Sequence, residues 1–100
     1  MSREIAVIGG GAAGMTAAVF AAAAGAAVTV FEKNDRVGKK ILSTGNGRCN
    51  FSNENMDVAF FRGSGTALAD NILDRFGVAQ TKDFFSSLGM RIRDRGGYLY

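Results

Sequence analysis

One hundred residues, 47% of them hydrophobic, with a formal net charge of +3, fit one small globular domain and not a disordered chain. With no histidine and one cysteine, these residues exclude a Ser-His-Asp triad, a Cys-His dyad, a His- or Cys-rich zinc site and an intrachain disulfide. No metal site is expected, and the lone cysteine agrees with a reducing, cytoplasmic setting.

Ile5, Val7 and Ile8 form a short β-branched run of the kind found in strands buried on both faces of a parallel sheet. The run ends in Gly9-Gly10-Gly11. The spacing Gly9-x-Gly11-x-x-Gly14 assigns a tight turn to Gly9, close backbone approach of a pyrophosphate to Gly11, and close helix–strand packing to Gly14. A helix opening at Ala12 would aim its free N–H groups and the positive end of its dipole at that phosphate. Its alanine-rich body, 12–24, has high helix propensity, takes its bulk from Met15, Val19 and Phe20, and stops at Gly25 as a C′ residue. A second strand over 26–31 ends at Glu32, which stands 18 residues beyond Gly14 (32 minus 14). This is near the offset of about 20 residues at which a carboxylate hydrogen-bonds a ribose diol, and a carboxylate there disfavours a 2′-phosphate.

Residues 5–31 contain no charge, which raises a membrane span or signal peptide. The dominance of alanine and glycine, the triple glycine and Glu4 argue against both. From 33 to 55 the chain turns polar and glycine-bearing, and a long irregular connection of this kind is expected to bind something. Thr44-Gly45-Asn46-Gly47 offers backbone N–H groups, a hydroxyl and an amide beside Arg48, the makings of an anion-binding nest.

Gly9-Gly-Gly-Ala-Ala-Gly14, Glu32, Gly38-Lys39-Lys40 and Thr44-Gly-Asn-Gly-Arg-Cys-Asn50 together resemble the N-terminus of bacterial FAD-dependent oxidoreductases described as HI0933-like flavoproteins or aminoacetone-oxidase-family enzymes. The last string is far more specific than the glycine fingerprint. The resemblance implies an α/β fold: a Rossmann-like FAD/NAD(P)-binding βαβ unit with following helices and a partial β-hairpin. By that analogy Gly9, Gly11, Ala12, Ala13 and Gly14 face the pyrophosphate, Glu32 the adenosine ribose, and Lys33 and Lys40 the adenosine or phosphates. Thr44, Gly45, Asn46, Gly47, Arg48, Cys49 and Asn50 then run toward the flavin. Residues 1–100 read as the N-terminal part of such a domain, a piece of a longer chain whose remainder completes the site.

The expected cofactor is FAD, and the expected partners are a small-molecule substrate and NAD(P)H as a candidate electron donor, with no nucleic acid and no membrane. A flavin-free NAD-dependent dehydrogenase and a non-catalytic dinucleotide-binding module are the competing readings. No catalytic residue is identified. Cys49 lacks a second cysteine to act with and reads first as structural; Arg48 suits either an anionic reduced flavin or a loop-fixing salt bridge.

The remainder reads as scaffold. A short strand or helical turn is expected over 57–61, a turn over 62–65, and an amphipathic helix over 66–76 with Leu68, Ile72, Leu73 and Phe76 on one side and Gly77 as its stop. Thr81 is expected to cap a second helix that runs through Phe84, Phe85 and Leu88 to Gly89. Alternation from Met90 to Asp94, the Gly96-Gly97 pair and Tyr98-Leu99-Tyr100 predict an antiparallel hairpin. The basic groups Lys33, Arg36, Lys39, Lys40, Arg48 and Arg91, Arg93, Arg95 lack interleaved aromatics and read mostly as solvated surface.

Overall fold

The structure, a computed structural model, describes residues 3–43 and 47–100. It divides into two units, Met1–Cys49 and Asn50–Tyr100.

In the first unit, strand β1 (Glu4–Ile8) pairs in parallel with β2 (Ala27–Phe31), and helix α1 (Ala12–Ala23) makes the crossover. Register runs from Glu4 opposite Ala27 to Ile8 opposite Phe31. Backbone bonds from Ala27 N–H to Arg3 C=O and from Gly9 N–H to Phe31 C=O, each 2.8 Å, extend the ladder at its two ends. Gly25 stops α1 as expected, at φ +97°. Its N–H donates to Ala22 C=O, and the Ala26 N–H to Ala21 C=O, the paired bonds of a Schellman motif.

The helix covers one face of the strand pair. Val7 points toward it, since a Cβ on Gly14 would lie 3.3 Å from Val7 Cγ1. On the opposite face Ile8 and Phe31 are 82% and 55% exposed among the described residues. Within this unit the strands are covered on one face, by α1.

In the second unit, Asp57 Oδ1 accepts from the Ala59 N–H at 2.9 Å and caps a 3₁₀ turn, Val58–Phe60. Helix α2 (Thr66–Arg75) follows the turn containing Gly63, and α3 (Val78–Ser87) follows α2 almost directly. Gly77 is both the break after α2 and the N-cap of α3, with its N–H donating to Gln80 Oε1 at 2.9 Å. Thr81 therefore does not cap α3. It lies a turn inside, with Oγ1 donating to Gly77 C=O at 2.9 Å. Glycine is acceptable at an N-cap, and Gln80 three residues on supplies the reciprocal bond that made Thr81 unnecessary. Gly89 closes α3 at φ +88°, again with the two Schellman bonds, Gly89 N–H to Ser86 C=O and Met90 N–H to Phe85 C=O.

The expected hairpin forms, with β4 (Asp94–Arg95) antiparallel to β5 (Tyr98–Leu99) around Gly96-Gly97. Both glycines have positive φ, +60° and +93°, as a type I′ turn demands. A third strand, β3 (Ser52–Asn53), pairs with the other edge of β5, giving the order β3-β5-β4. Leu99, 1% exposed, is the fully buried side chain of this unit among the described residues. Phe85 meets Phe51 and Phe84 edge-on, with centroids 4.9 and 5.2 Å apart. Along α2, Leu73 is half-buried, but Leu68 and Ile72 are 64% and 53% exposed. Among the described residues no helix is long and apolar enough to cross a membrane.

Candidate dinucleotide-binding site

The site grows out of the turn between β1 and α1. Gly9 has φ +97°, a conformation that L side chains rarely adopt. Gly14 lies against it: a Cβ there would stand 1.8 Å from Gly9 C=O, so helix and turn meet backbone to backbone. Gly11 precedes α1 in extended conformation, and a Cβ on it would meet nothing within 4 Å. The two glycines thus differ: Gly14 is required by the protein's own packing, whereas among the described residues nothing within 4 Å opposes a Cβ at Gly11. Open space beside an extended glycine at a helix N-terminus is the cradle that a pyrophosphate needs.

The first helical bond of α1 runs from Met15 N–H to Gly11 C=O at 2.9 Å. The N–H groups of Ala12, Ala13 and Gly14 therefore lie ahead of the helical ladder, and no acidic side chain occupies the first turn. Three amide donors and the positive end of the helix dipole face the same space, which fits an anion.

Glu32, one residue past β2, is bound to the turn. Its Oε1 accepts from the Gly10 N–H at 2.9 Å and its Oε2 from the Asn34 N–H at 2.8 Å. These bonds, that of Asn34 first and that of Gly10 second, hold its carboxyl below the usual glutamate range; partial desolvation opposes them, and Lys33 adds a small lowering. An ionised carboxylate has about four acceptor positions, so two bonds to backbone leave each oxygen able to accept from a hydroxyl. A vicinal diol matches that vacancy, whereas a phosphate would meet a fixed negative charge.

Two residues that the sequence reading left out complete the turn. Gly10 is the buried residue of the first unit among the described residues. A Cβ on it would come within 2.5 Å of Val37 Cγ1 and 3.4 Å of Glu32 Oε1. Its C=O accepts from the Gly38 N–H at 2.7 Å, and Gly38, at φ +70°, lies against Met15. The sequence signals for this arrangement were a third glycine, Gly10, more than the fingerprint requires, and Gly38 in the Gly38-Lys39-Lys40 motif.

Lys33 and Lys40 are exposed and make no ion pair among the described residues, whereas Lys39 pairs with Asp35 at 3.1 Å. Thr44, Gly45 and Asn46 lie outside the described residues. Gly47 has φ +81°, Arg48 is exposed, and Cys49 is a half-buried free thiol. Asn50 belongs to the second unit, where its amide nitrogen, turned inward, reaches the C=O groups of Leu99 at 3.2 Å and Ser52 at 3.3 Å. The structure thus brings Gly9, Gly11, Ala12, Ala13, Gly14 and Glu32 together, and among the described residues no hydrogen bond or ion pair joins Lys33, Lys40, Arg48, Cys49 or Asn50 to them.

A parallel βαβ unit, a glycine turn with its helix N-terminus open to an anion, and an acid at the end of the second strand define a Rossmann dinucleotide-binding domain. The family described as HI0933-like protein Rossmann domain matches residues 3–98, and the chain belongs to it. It is 48% identical over 100 residues to a 3-dehydro-bile acid delta(4,6)-reductase of Clostridium scindens, an alignment covering 98% of this chain and 24% of that protein. Over 70 residues, 70% of the chain, it is 37% and 36% identical to the ribosomal RNA dihydrouridine synthases of Haemophilus influenzae and Escherichia coli, covering 18% of each. The chain thus spans about a quarter or less of the length of these curated relatives.

Proposed function

We propose that this chain is the N-terminal, ADP- and pyrophosphate-binding part of an FAD-dependent oxidoreductase that acts in the cytoplasm. The observation that carries the reading is Glu32, held by the Gly10 and Asn34 amides beside a helix N-terminus whose first donors are free of the helical ladder. Ala12, Ala13 and Gly14 would donate to the pyrophosphate, Gly11 would admit it, and Glu32 would accept from the adenosine ribose. Lys33 and Lys40 would supply positive charge near the polyanion, and the 44–50 string is the stretch that the family resemblance assigns to the flavin side. When bound, FAD supplies hydride or electron transfer at that ring, while the protein binds, orients and tunes it.

Glu32 alone suits NAD as well as FAD. The flavin reading is supported by the resemblance carried by the 44–50 string and by the family match, and the oxidoreductase reading by a relative whose name is that of a reductase. A small-molecule substrate and NAD(P)H as reductant complete the proposal. The absorbance spectrum of the purified full-length protein, with mass spectrometry of the nucleotide released by heat, tests it. A flavin spectrum and released FAD are expected. A colourless protein that takes up no added FAD would overturn the flavin reading and leave the nicotinamide one.

A further inference from the structure

Gly10 contributes no side chain, yet both of its backbone polar groups are spent on the segment that follows β2. Its N–H binds Glu32 at 2.9 Å and its C=O binds the Gly38 N–H at 2.7 Å. Val37, next to Gly38, occupies the space where a Cβ of residue 10 would stand, 2.5 Å from Cγ1 and 3.0 Å from its Cβ. Residues 32–38 therefore close over the turn at three points: the Glu32 carboxylate, the Val37 side chain and the Gly38 amide. Glu32 Oε1 lies 3.4 Å from that same Cβ position, an ordinary contact, so a side chain on residue 10 would press first on Val37 and act on Glu32 through the 32–38 segment that carries both.

We propose that Gly10 is a positioning residue: the missing Cβ lets Val37 close on the turn, and the closure holds Glu32 where it selects an unphosphorylated ribose. The inference rests on the dinucleotide reading of the site but not on the choice between FAD and NAD, because both share the ADP moiety. The middle glycine sets specificity at a distance from the ligand, through a side chain of the following loop. Gly11 and Gly14 act differently, one admitting the ligand and the other the helix.

The test uses the full-length protein stripped of nucleotide and titrated with ADP and with ADP phosphorylated at the 2′ position, in the wild type and in Gly10→Ala, Val37→Ala and the double variant. The wild type is expected to prefer ADP. Gly10→Ala is expected to weaken ADP binding about tenfold, the scale of one displaced hydrogen bond to a charged group, and to lose most of the preference. Removing the Val37 methyl groups relieves the 2.5 Å approach and leaves the 3.0 Å approach of the residue-37 Cβ, a shift of a few tenths of an ångström, so the double variant should recover most of the affinity and preference of Val37→Ala alone. Wild-type behaviour in Gly10→Ala, or a double variant as impaired as Gly10→Ala, would overturn the inference. Should Gly10→Ala fail to fold, the double variant decides: folding with the preference intact supports the closure, and folding without the preference, or not folding, refutes it. ADP binding with the expected pattern in a protein that takes up no FAD would overturn the flavin reading alone; a wild type that binds no ADP would overturn both.

Discussion

The two units of this chain are held by different kinds of contact. In the first, the decisive approaches are backbone against backbone: the parallel ladder from Glu4 to Ile8, Gly14 against the Gly9 carbonyl, and the Gly38 N–H bonded to the Gly10 C=O. In the second, side chains decide, through Leu99, the Phe51–Phe85–Phe84 edge contacts and the Gln80 bond to Gly77. The unit that carries the glycine turn closes it with backbone contacts, and the other builds a small core of side chains. A backbone-made site is tolerant of most side-chain changes and intolerant of any at a few glycines, because the excluded volume is a Cβ.

The sharpest break of this contrast is Gly14→Ala. One methyl group would meet a backbone oxygen at 1.8 Å, so the first unit should lose about 3 kcal/mol or more, read as a lower urea midpoint. A loss below about 1 kcal/mol would show that helix and turn can separate. Leu99→Ala is the corresponding break in the second unit, with an expected cost of about 2–3 kcal/mol in the same assay, at the lower end for a core truncation because a single buried side chain leaves neighbours free to collapse.

Gly96→Ala tests conformation alone. A Cβ there meets nothing within 4 Å, so the cost is that of φ +60°, about 1 kcal/mol, and Gly96→Asn should cost less. Smaller still is the effect of acid on Glu32. Its carboxyl ionises below the usual glutamate range in the folded state, so its contribution is fully present above the ordinary glutamate value and is lost only as pH falls through the lowered one. Binding of ADP-ribose, whose doubly esterified pyrophosphate does not titrate in this range, should accordingly be level from neutral pH down into the ordinary glutamate range, and Glu32→Gln should remove the acid limb of that profile. The exposed Lys82–Glu54 pair, 2.6 Å long, should matter least. Its partner carboxylate raises the Lys82 ammonium, so the pair's contribution is present below the ordinary lysine value and is lost as pH rises through the raised one, and Lys82→Met should leave the melting temperature almost unchanged.

What could be read from the sequence follows the same division. Gly9, Gly11, Gly14 and Glu32 were legible because a backbone requirement writes itself as glycine at a fixed spacing and a charge at a strand end. Gly25, Gly89 and the Gly96-Gly97 turn were legible for the same reason. Strand β3 was not, since Ser52-Asn53 carries no alternation and exists only because β5 offers it an edge. The start of α3 was misplaced because Thr81 is a stronger cap than Gly77 in isolation, and only Gln80 reverses the order. Val37 was invisible as part of the site. Its role depends on contact with Gly10, 27 residues earlier (37 minus 10), and no local pattern marks it.

The central claim is that the space beside Gly11 belongs to a ligand and not to the protein. Gly11→Val in the full-length protein tests it most directly, because its Cβ would meet no atom of the described residues within 4 Å while the side chain would fill the cradle. The account predicts a nucleotide-free protein that folds with its melting temperature lowered only by the loss of a favourable N-cap, about 1 kcal/mol, and ADP and FAD binding weakened by about two orders of magnitude or more as the pyrophosphate is displaced from its amide donors. A variant that folds and binds both as tightly as the wild type would contradict it.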